Sequence, residues 1–261
     1  MTMIATKAAP AAHGFQTESK GRLRVSLAVT PQEVHMAQRL RYAVFAEELG
    51  AKLHSDERDR DGARLDVDHY DAYCQHLLVR DSWRDDIVVG TTRALDARGA
   101  REAGGYYSAS EFDLSRLLQT VQRPLELGRT CIHRNYRNGA TINTLWRGVA
   151  ALLSVHRAEI LMGCASIPEA DAPAVCAKLA SPRFLVEDSM RVAPKTPLAA
   201  SLIEAHVQQE PRIPALVAAY LRIGARVCGP PCHDPDFAVA DLFMVLPTLR
   251  LARRYRSHFL G

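Results

Sequence analysis

Leu125-Glu126-Leu127-Gly128-Arg129-Thr130-Cys131-Ile132-His133-Arg134-Asn135-Tyr136-Arg137-Asn138-Gly139-Ala140-Thr141-Ile142-Asn143-Thr144-Leu145-Trp146-Arg147-Gly148 decides how this 261-residue chain is read. Leu125, Leu127 and Ile132 mark a short apolar strand that carries Glu126 and Arg129. Residues 134–140 are a turn dense in basic and hydrogen-bonding groups. Then Ile142, Leu145, Trp146, Val149, Leu152 and Leu153 recur at helical spacing. A basic turn that opens a helix can cradle an anion, because free backbone N–H groups and the helix dipole point outward there. The same pattern also fits an ordinary strand-to-helix turn with solvated arginines.

Upstream, residues 75–80 and 87–95 read as two strands joined in a hairpin across 81–86. Earlier still, residues 22–30 alternate through Leu23, Val25, Leu27 and Val29 as a first strand. Thr30-Pro31 and Glu33 then predict a capped helix, with Val34, Ala37, Leu40, Val44 and Phe45 on its apolar side and its end near Gly50. Residues 51–65 are a charged, solvated loop that could act as a lid, and residues 97–110 read as a Gly/Ala/Tyr loop. A short helix is expected over 114–121.

Downstream, a buried strand is expected over 159–167 and a helix over 171–180. Residues 182–212 are Pro-punctuated, a strand and a connection. A helix over 214–223, a strand and turn over 224–231 and a last strand over 237–245 follow. The order is mixed α/β, because the hairpin breaks strict βα alternation. Residues 1–20 are expected to be a disordered tail, 21–261 one domain, and about 182–261 an extension of it.

Net charge is +4, which suits an acidic partner or an anionic membrane surface but does not imply nucleic acid. Six scattered cysteines read as reduced thiols in the cytoplasm. Cys228, Cys232 and His233 lack a second ligand pair, so no metal is expected. No apolar run is long enough to span a membrane. The tail over 249–260 mixes arginines with apolar side chains and could lie on an anionic bilayer from the cytoplasmic side, or simply pack on the core.

Several side chains could carry chemistry. Arg41 and Phe45 share a helix face. Asp68 and Asp71, with His69 between them, could hold a cation or a water network, or could cap a turn. Arg93 closes a Gly-Thr-Thr segment. Glu126 and Arg129 would face opposite ways in a regular strand, and share a face only across a bulge, for which Gly128 is suited.

As a set, Arg41…Phe45, Asp68-x-x-Asp71, Arg93 and Glu126-x-x-Arg129 resemble acyl-homoserine lactone synthases. The fuller wording, Arg41-Tyr-x-Val-Phe45-x-Glu47-Glu48, Asp68-His69-Tyr70-Asp71, Gly90-Thr-x-Arg93, Glu126-Leu127-Gly128-Arg129 and Gly229-Pro230-Pro231-x-x-Asp234-x-x-Phe237-x-x-x-Asp241, looks closer to the L-ornithine Nα-acyltransferases. The resemblance runs from about residue 22 to about residue 246. It implies a GNAT-like fold, a mixed central sheet flanked by helices with a C-terminal extension. It implies transfer of a 3-hydroxyacyl chain from the phosphopantetheine of acyl carrier protein to the α-amine of L-ornithine, giving lyso-ornithine lipid, with no separate cofactor.

Carried onto this sequence, Glu126 is the expected base, Asp68 and Asp71 neutralise ornithine's ammonium groups, and Arg129 or Arg93 holds its carboxylate or the acids. Arg41, Phe45, His69 and Arg93 are expected to bind substrate. Arg134, Arg137, Gly139 and Ala140 are expected to bind the donor's phosphopantetheine and carrier protein. Arg137 stands where the acetyltransferase loop carries its first glycine, which favours carrier protein over coenzyme A. The rival readings are a lactone synthase using S-adenosylmethionine, a coenzyme A-dependent acetyltransferase and a non-catalytic carrier-binding module.

Overall fold

The strand–turn–helix expected at the centre is present in the computed structural model, which describes residues 21–53, 55–198 and 212–248. In chain order the first elements are β1 (Leu23–Leu27), α1 (Pro31–Tyr42), β2 (Gln75–Asp81), β3 (Ile87–Asp96), α2 (Ala97–Ala103), β4 (Phe112–Asp113) and α3 (Ser115–Thr120). They are followed by β5 (Pro124–Ile132), α4 (Gly139–Val155), β6 (Ile160–Pro168), α5 (Ala172–Leu179), β7 (Ala193–Pro194), α6 (Ala215–Ile223), β8 (Arg226–Val227), β9 (Cys232–Asp234) and β10 (Val239–Pro247). The described residues belong to two compact units, Met1–Gly104 with Leu127–Val155, and Gly105–Glu126 with His156–Gly261. The tail expected over residues 1–20 and the basic tail over 249–260 lie outside the described residues.

In the first unit the strand order is β1-β2-β3-β5. β1 runs antiparallel to β2, with Leu23 opposite Asp81 and Leu27 opposite Leu77, and β2 forms the expected hairpin with β3. The predicted cap on α1 is complete: Thr30 accepts from the Glu33 N–H, and the Glu33 carboxylate accepts from the Thr30 N–H. After Tyr42 the helix widens into π geometry over Ala43–Glu48. Leu40 and Val44 pack with Cys131, and Phe45 and Val88 close over that cluster.

Helix α4 lies on β1 and β2. Gly148 lets it approach: a Cβ there would come within 2.7 Å of a Val25 methyl and 3.0 Å of a Leu77 methyl. Residues 97–110, expected as loop, instead hold α2 and a 3-10 turn over Tyr107–Ser110. The reason lies at the ends of α2. The Asp96 carboxylate accepts from the Gly99 N–H as N-cap, and Gly104 stops the helix in the left-handed region at φ 86°.

In the second unit the order is β5-β6-β10-β8, with β9 also on β10. β5 pairs parallel with β6 over Pro124, Leu125 and Glu126, opposite Ile160, Leu161 and Met162. β10 runs antiparallel along the whole of β6, from Val239 opposite Pro168 to Pro247 opposite Ile160. The strand expected over 224–231 is the two-residue β8, and β9 is an addition that the Pro-Pro run concealed. β4 and β7 form a separate pair, and Phe112 packs on Phe243 with ring centroids 5.6 Å apart.

Candidate active site

In the first unit the sequence brings arginines and aspartates together. Asp68 caps the 3-10 turn His69–Tyr73, and Asp71 returns a bond to the Asp68 N–H, a reciprocal cap of the kind read at Thr30. This aims both carboxylates at β3 and α1. Arg41 donates to Asp66 at 2.7 Å and to Asp71 at 2.7 Å and 3.2 Å. Arg93 donates to Asp68 at 2.5 Å and to Asp71 at 2.7 Å. Arg129 reaches Asp66 at 3.2 Å and Asp68 at 3.5 Å. Gln38 adds a bond to Asp71 at 2.8 Å.

Burial opposes the charged form of Asp71, but Arg41 and Arg93 outweigh it and hold the carboxyl well below the usual carboxylate range. Asp68 moves the same way: burial opposes, and the Arg93 hydrogen bond prevails. Arg41 is 1% exposed, so its guanidinium faces only the protein interior. Asp66, which the sequence reading left without a role, is therefore a central partner. The strand breaks from regular geometry at Arg129, where φ is 51°, rather than at Gly128. His69 lies at the rim, its Nε2 2.8 Å from the Ala103 carbonyl, and Phe45 belongs to the α1 cluster.

Glu126 lies in the second unit and is buried. One carboxylate oxygen accepts from the Tyr107 N–H and the other from the Ser108 N–H, each at 2.8 Å. Two backbone donors stabilise the anion. Nearby in this unit lies Glu111, which sequence reasoning missed. Its carboxylate is 3.2 Å from Cys164 Sγ, and oxygens of Glu111, Asp234 and Asp241 lie within 4.8 Å of one another. Burial first, then Asp241, push the Glu111 carboxyl up to about 8. Asp234 and Asp241 were visible as motif letters, but no local pattern tied Glu111 to them.

The basic turn opens α4 as expected. Arg137 makes a two-pronged pair with Glu48, at 2.6 Å and 2.8 Å, and donates to the Ile132 carbonyl. Asn138 accepts from the Thr141 N–H at the start of the helix. Beside this turn is a cleft of about 790 Å³, lined by Arg22, Arg84, Asn135, Asn138, Ala140 and Arg147 among others. Arg134 and Gly139 are exposed on the turn.

Comparison with known proteins decides the family. A model described as "Acetyltransferase (GNAT) domain" matches residues 40–147. A Brucella abortus protein named L-ornithine N(alpha)-acyltransferase is 33% identical over 255 residues, covering 92% of this chain and 89% of that one. The chain belongs to the L-ornithine N(alpha)-acyltransferase family. A second family member, from Agrobacterium fabrum, is 32% identical over 92% of this chain and 86% of its own length. The chain is thus an acyltransferase. Among solved structures, FeeM, an N-acyl amino acid synthase from uncultured soil microbes, superposes with a TM-score of 0.51 at 12% identity, over 92% of this chain and 96% of that one. That likeness is one of fold, and with the domain match it establishes the expected GNAT-like mixed sheet flanked by helices.

Proposed function

We propose that this enzyme transfers a 3-hydroxyacyl chain from the phosphopantetheine thiol of acyl carrier protein to the α-amine of L-ornithine, giving lyso-ornithine lipid. The observation that carries the reading is the 33% identity, over nearly the whole chain, to a relative named for this acceptor. The acyl donor needs no other cofactor, since a thioester is already activated toward an amine.

The side chains support distinct parts of the reaction. Glu126, fixed by two N–H groups, is the carboxylate that would hold or deprotonate the acceptor's amine. In the first unit Asp68 keeps 22% of its side chain exposed while Arg93 and Arg129 hold it, so its carboxylate stays open to a cation. Arg134, Arg137, Gly139 and Ala140 lie at the opening of α4, where the helix dipole and the exposed Arg134 favour a phosphodiester. Arg22, Arg84 and Arg147 around the adjoining cleft suit an acidic carrier protein. No helix of the described residues is long and apolar enough to cross a membrane. A cytoplasmic enzyme that touches the bilayer through its basic tail is consistent with an amphiphilic product.

Mass spectrometry of products from purified protein, 3-hydroxyacyl carrier protein, a pool of amino acids and S-adenosylmethionine tests this directly. The expected product is 3-hydroxyacyl-ornithine. An acyl-homoserine lactone, or no acyl product with carrier protein still bound, would overturn the reading. Equal rates with acyl-coenzyme A would sink the carrier-protein preference alone.

A further inference from the structure

Trp83 has no part in the fold or in the reaction as set out above. It stands at the turn of the β2–β3 hairpin in the first unit and is 77% exposed, more than any other large apolar side chain of the described residues. It is nonetheless held. Asp81, fully buried at the end of β2, accepts from the Trp83 N–H at 3.1 Å, from the Tyr136 hydroxyl at 2.7 Å and from two nitrogens of Arg22. The Arg22 guanidinium in turn lies 5.7 Å from the Trp83 ring and 5.7 Å from the Tyr136 ring. The indole rests against a cation that is itself fixed, and leaves most of its surface to solvent.

Its surroundings carry one sign of charge. Arg22 and Arg84, the next residue after Trp83, line the cleft of about 790 Å³ together with Arg147, and among the described residues no Asp or Glu lines it. Of Asp85 and Asp86, which follow on the turn, Asp86 pairs with Arg24. Asn138 and Ala140 belong both to the cleft wall and to the opening of α4, so the cleft leads to the place proposed for the donor's phosphodiester. Residues 1–20, which run into Gly21 at the cleft, carry Lys7, Lys20 and a single acid, Glu18, so their charge does not complement it. A concave basic wall beside a projecting aromatic fits a ridge of an acidic protein better than a flat layer of lipid headgroups. Exposed Trp and Arg are also the side chains that most often carry the affinity of protein interfaces.

We propose that Trp83 is the anchor on which the acidic carrier protein docks. Its indole packs against an apolar patch of that partner, while Arg22, Arg84 and Arg147 meet the partner's carboxylates. The proposal rests on the carrier-protein donor reading and adds to it a residue that recognises the protein rather than the arm. Trp83 suits the part because its turn is already fixed through Asp81 and its ring is already propped by Arg22, so little freedom is lost on binding. The arginines bring the partner in, and the tryptophan holds it.

The test uses the full chain with L-ornithine and two donors, 3-hydroxyacyl carrier protein and the 3-hydroxyacyl thioester of free phosphopantetheine. The two share the arm and differ in the protein surface. In Trp83→Ala the ratio of kcat/KM for the first donor to that for the second is expected to fall about 10-fold or more, through KM, and Trp83→Phe to keep most of it. Arg84→Ala is expected to lower the ratio about 3-fold at low salt and by less as salt is raised. A ratio in Trp83→Ala equal to that of wild type overturns the proposal. Acrylamide quenching gives a readout apart from turnover. Trp83 is exposed and Trp146, the other tryptophan, is buried, so quenching reports on Trp83. A carrier protein that lacks tryptophan and bears the arm is expected to shield it, and equal quenching with and without that protein overturns the proposal. So does shielding by phosphatidylglycerol vesicles but not by carrier protein, which would make the turn a membrane contact. If wild type acylates ornithine from acyl-coenzyme A and takes nothing from carrier protein, the donor reading fails and the docking falls with it. If wild type uses carrier protein and Trp83→Ala uses it equally well, the docking alone fails.

Discussion

In the first unit Asp71 is buried between two arginines; in the second, Glu111 is sunk against two aspartates and a thiol. Burial works against both charges. Arg41 and Arg93 reverse its effect at Asp71, which stays ionised far below the usual range. At Glu111 burial prevails and Asp241 adds to it, the Cys164 hydrogen bond offsetting only part, so the carboxyl rises to about 8. The partner, not the depth, sets the protonation state. The first group is a frame with fixed charges. The second can change charge near neutrality, which is what proton transfer needs.

The strongest way to break this contrast is Asp71→Asn. It strands two buried guanidinium groups and should cost about 3–5 kcal/mol in urea unfolding. An unchanged midpoint would mean that the arginine network is not a frame. Glu111→Gln should act in the opposite direction. Glu111 is raised from 4.5 to about 8, so its contribution to stability is full below 4.5 and is lost as pH rises to about 8. The variant should therefore gain on wild type across that window, by no more than about 1.4 kcal/mol per pH unit in thermal or urea melts. A gain that grows toward low pH would contradict the sign.

Ser166→Ala sharpens the second group. Ser166 donates to Asp241 at 2.7 Å, and its loss leaves that anion less stabilised. Stability should fall by about 1 kcal/mol in urea melts, and an unchanged midpoint would mean that the hydrogen bond contributes nothing. The smallest effect is expected at Glu48→Gln, which breaks the exposed pair with Arg137. It should change stability by about 0.2–1 kcal/mol at low salt and by less as salt is raised. A loss as large as that of Asp71→Asn would place Arg137 in the frame.

Much of the fold was legible because its signals are local. The Thr30 cap, the β2–β3 hairpin and the turn into α4 are each written within about ten residues. α2 was hidden because Ala97–Ala103 carries no apolar period, although Asp96 and Gly104 at its ends were readable caps. The site was legible as letters and less so as geometry. Arg41 was legible as sharing a helix face with Phe45, but not as interior, since its partners Asp66 and Asp71 lie 25 and 30 residues away. Glu111 sits in irregular chain and meets Asp234 and Asp241 only because β9 and β10 pair. No spacing rule reaches across such distances.

Arg41 has a consequence for how this sequence can change over time. A guanidinium at 1% exposure cannot shed its proton, so the chain must supply its anions at the same moment it closes the core. Arg41, Asp66, Asp71 and Arg93 come from three separate stretches, and losing any one leaves the others short of a partner. Single steps away from the set therefore lead downhill, while a joint exchange for apolar side chains of similar volume need not. The quartet is a locus of strong epistasis: descendants keep all of it, or replace it together.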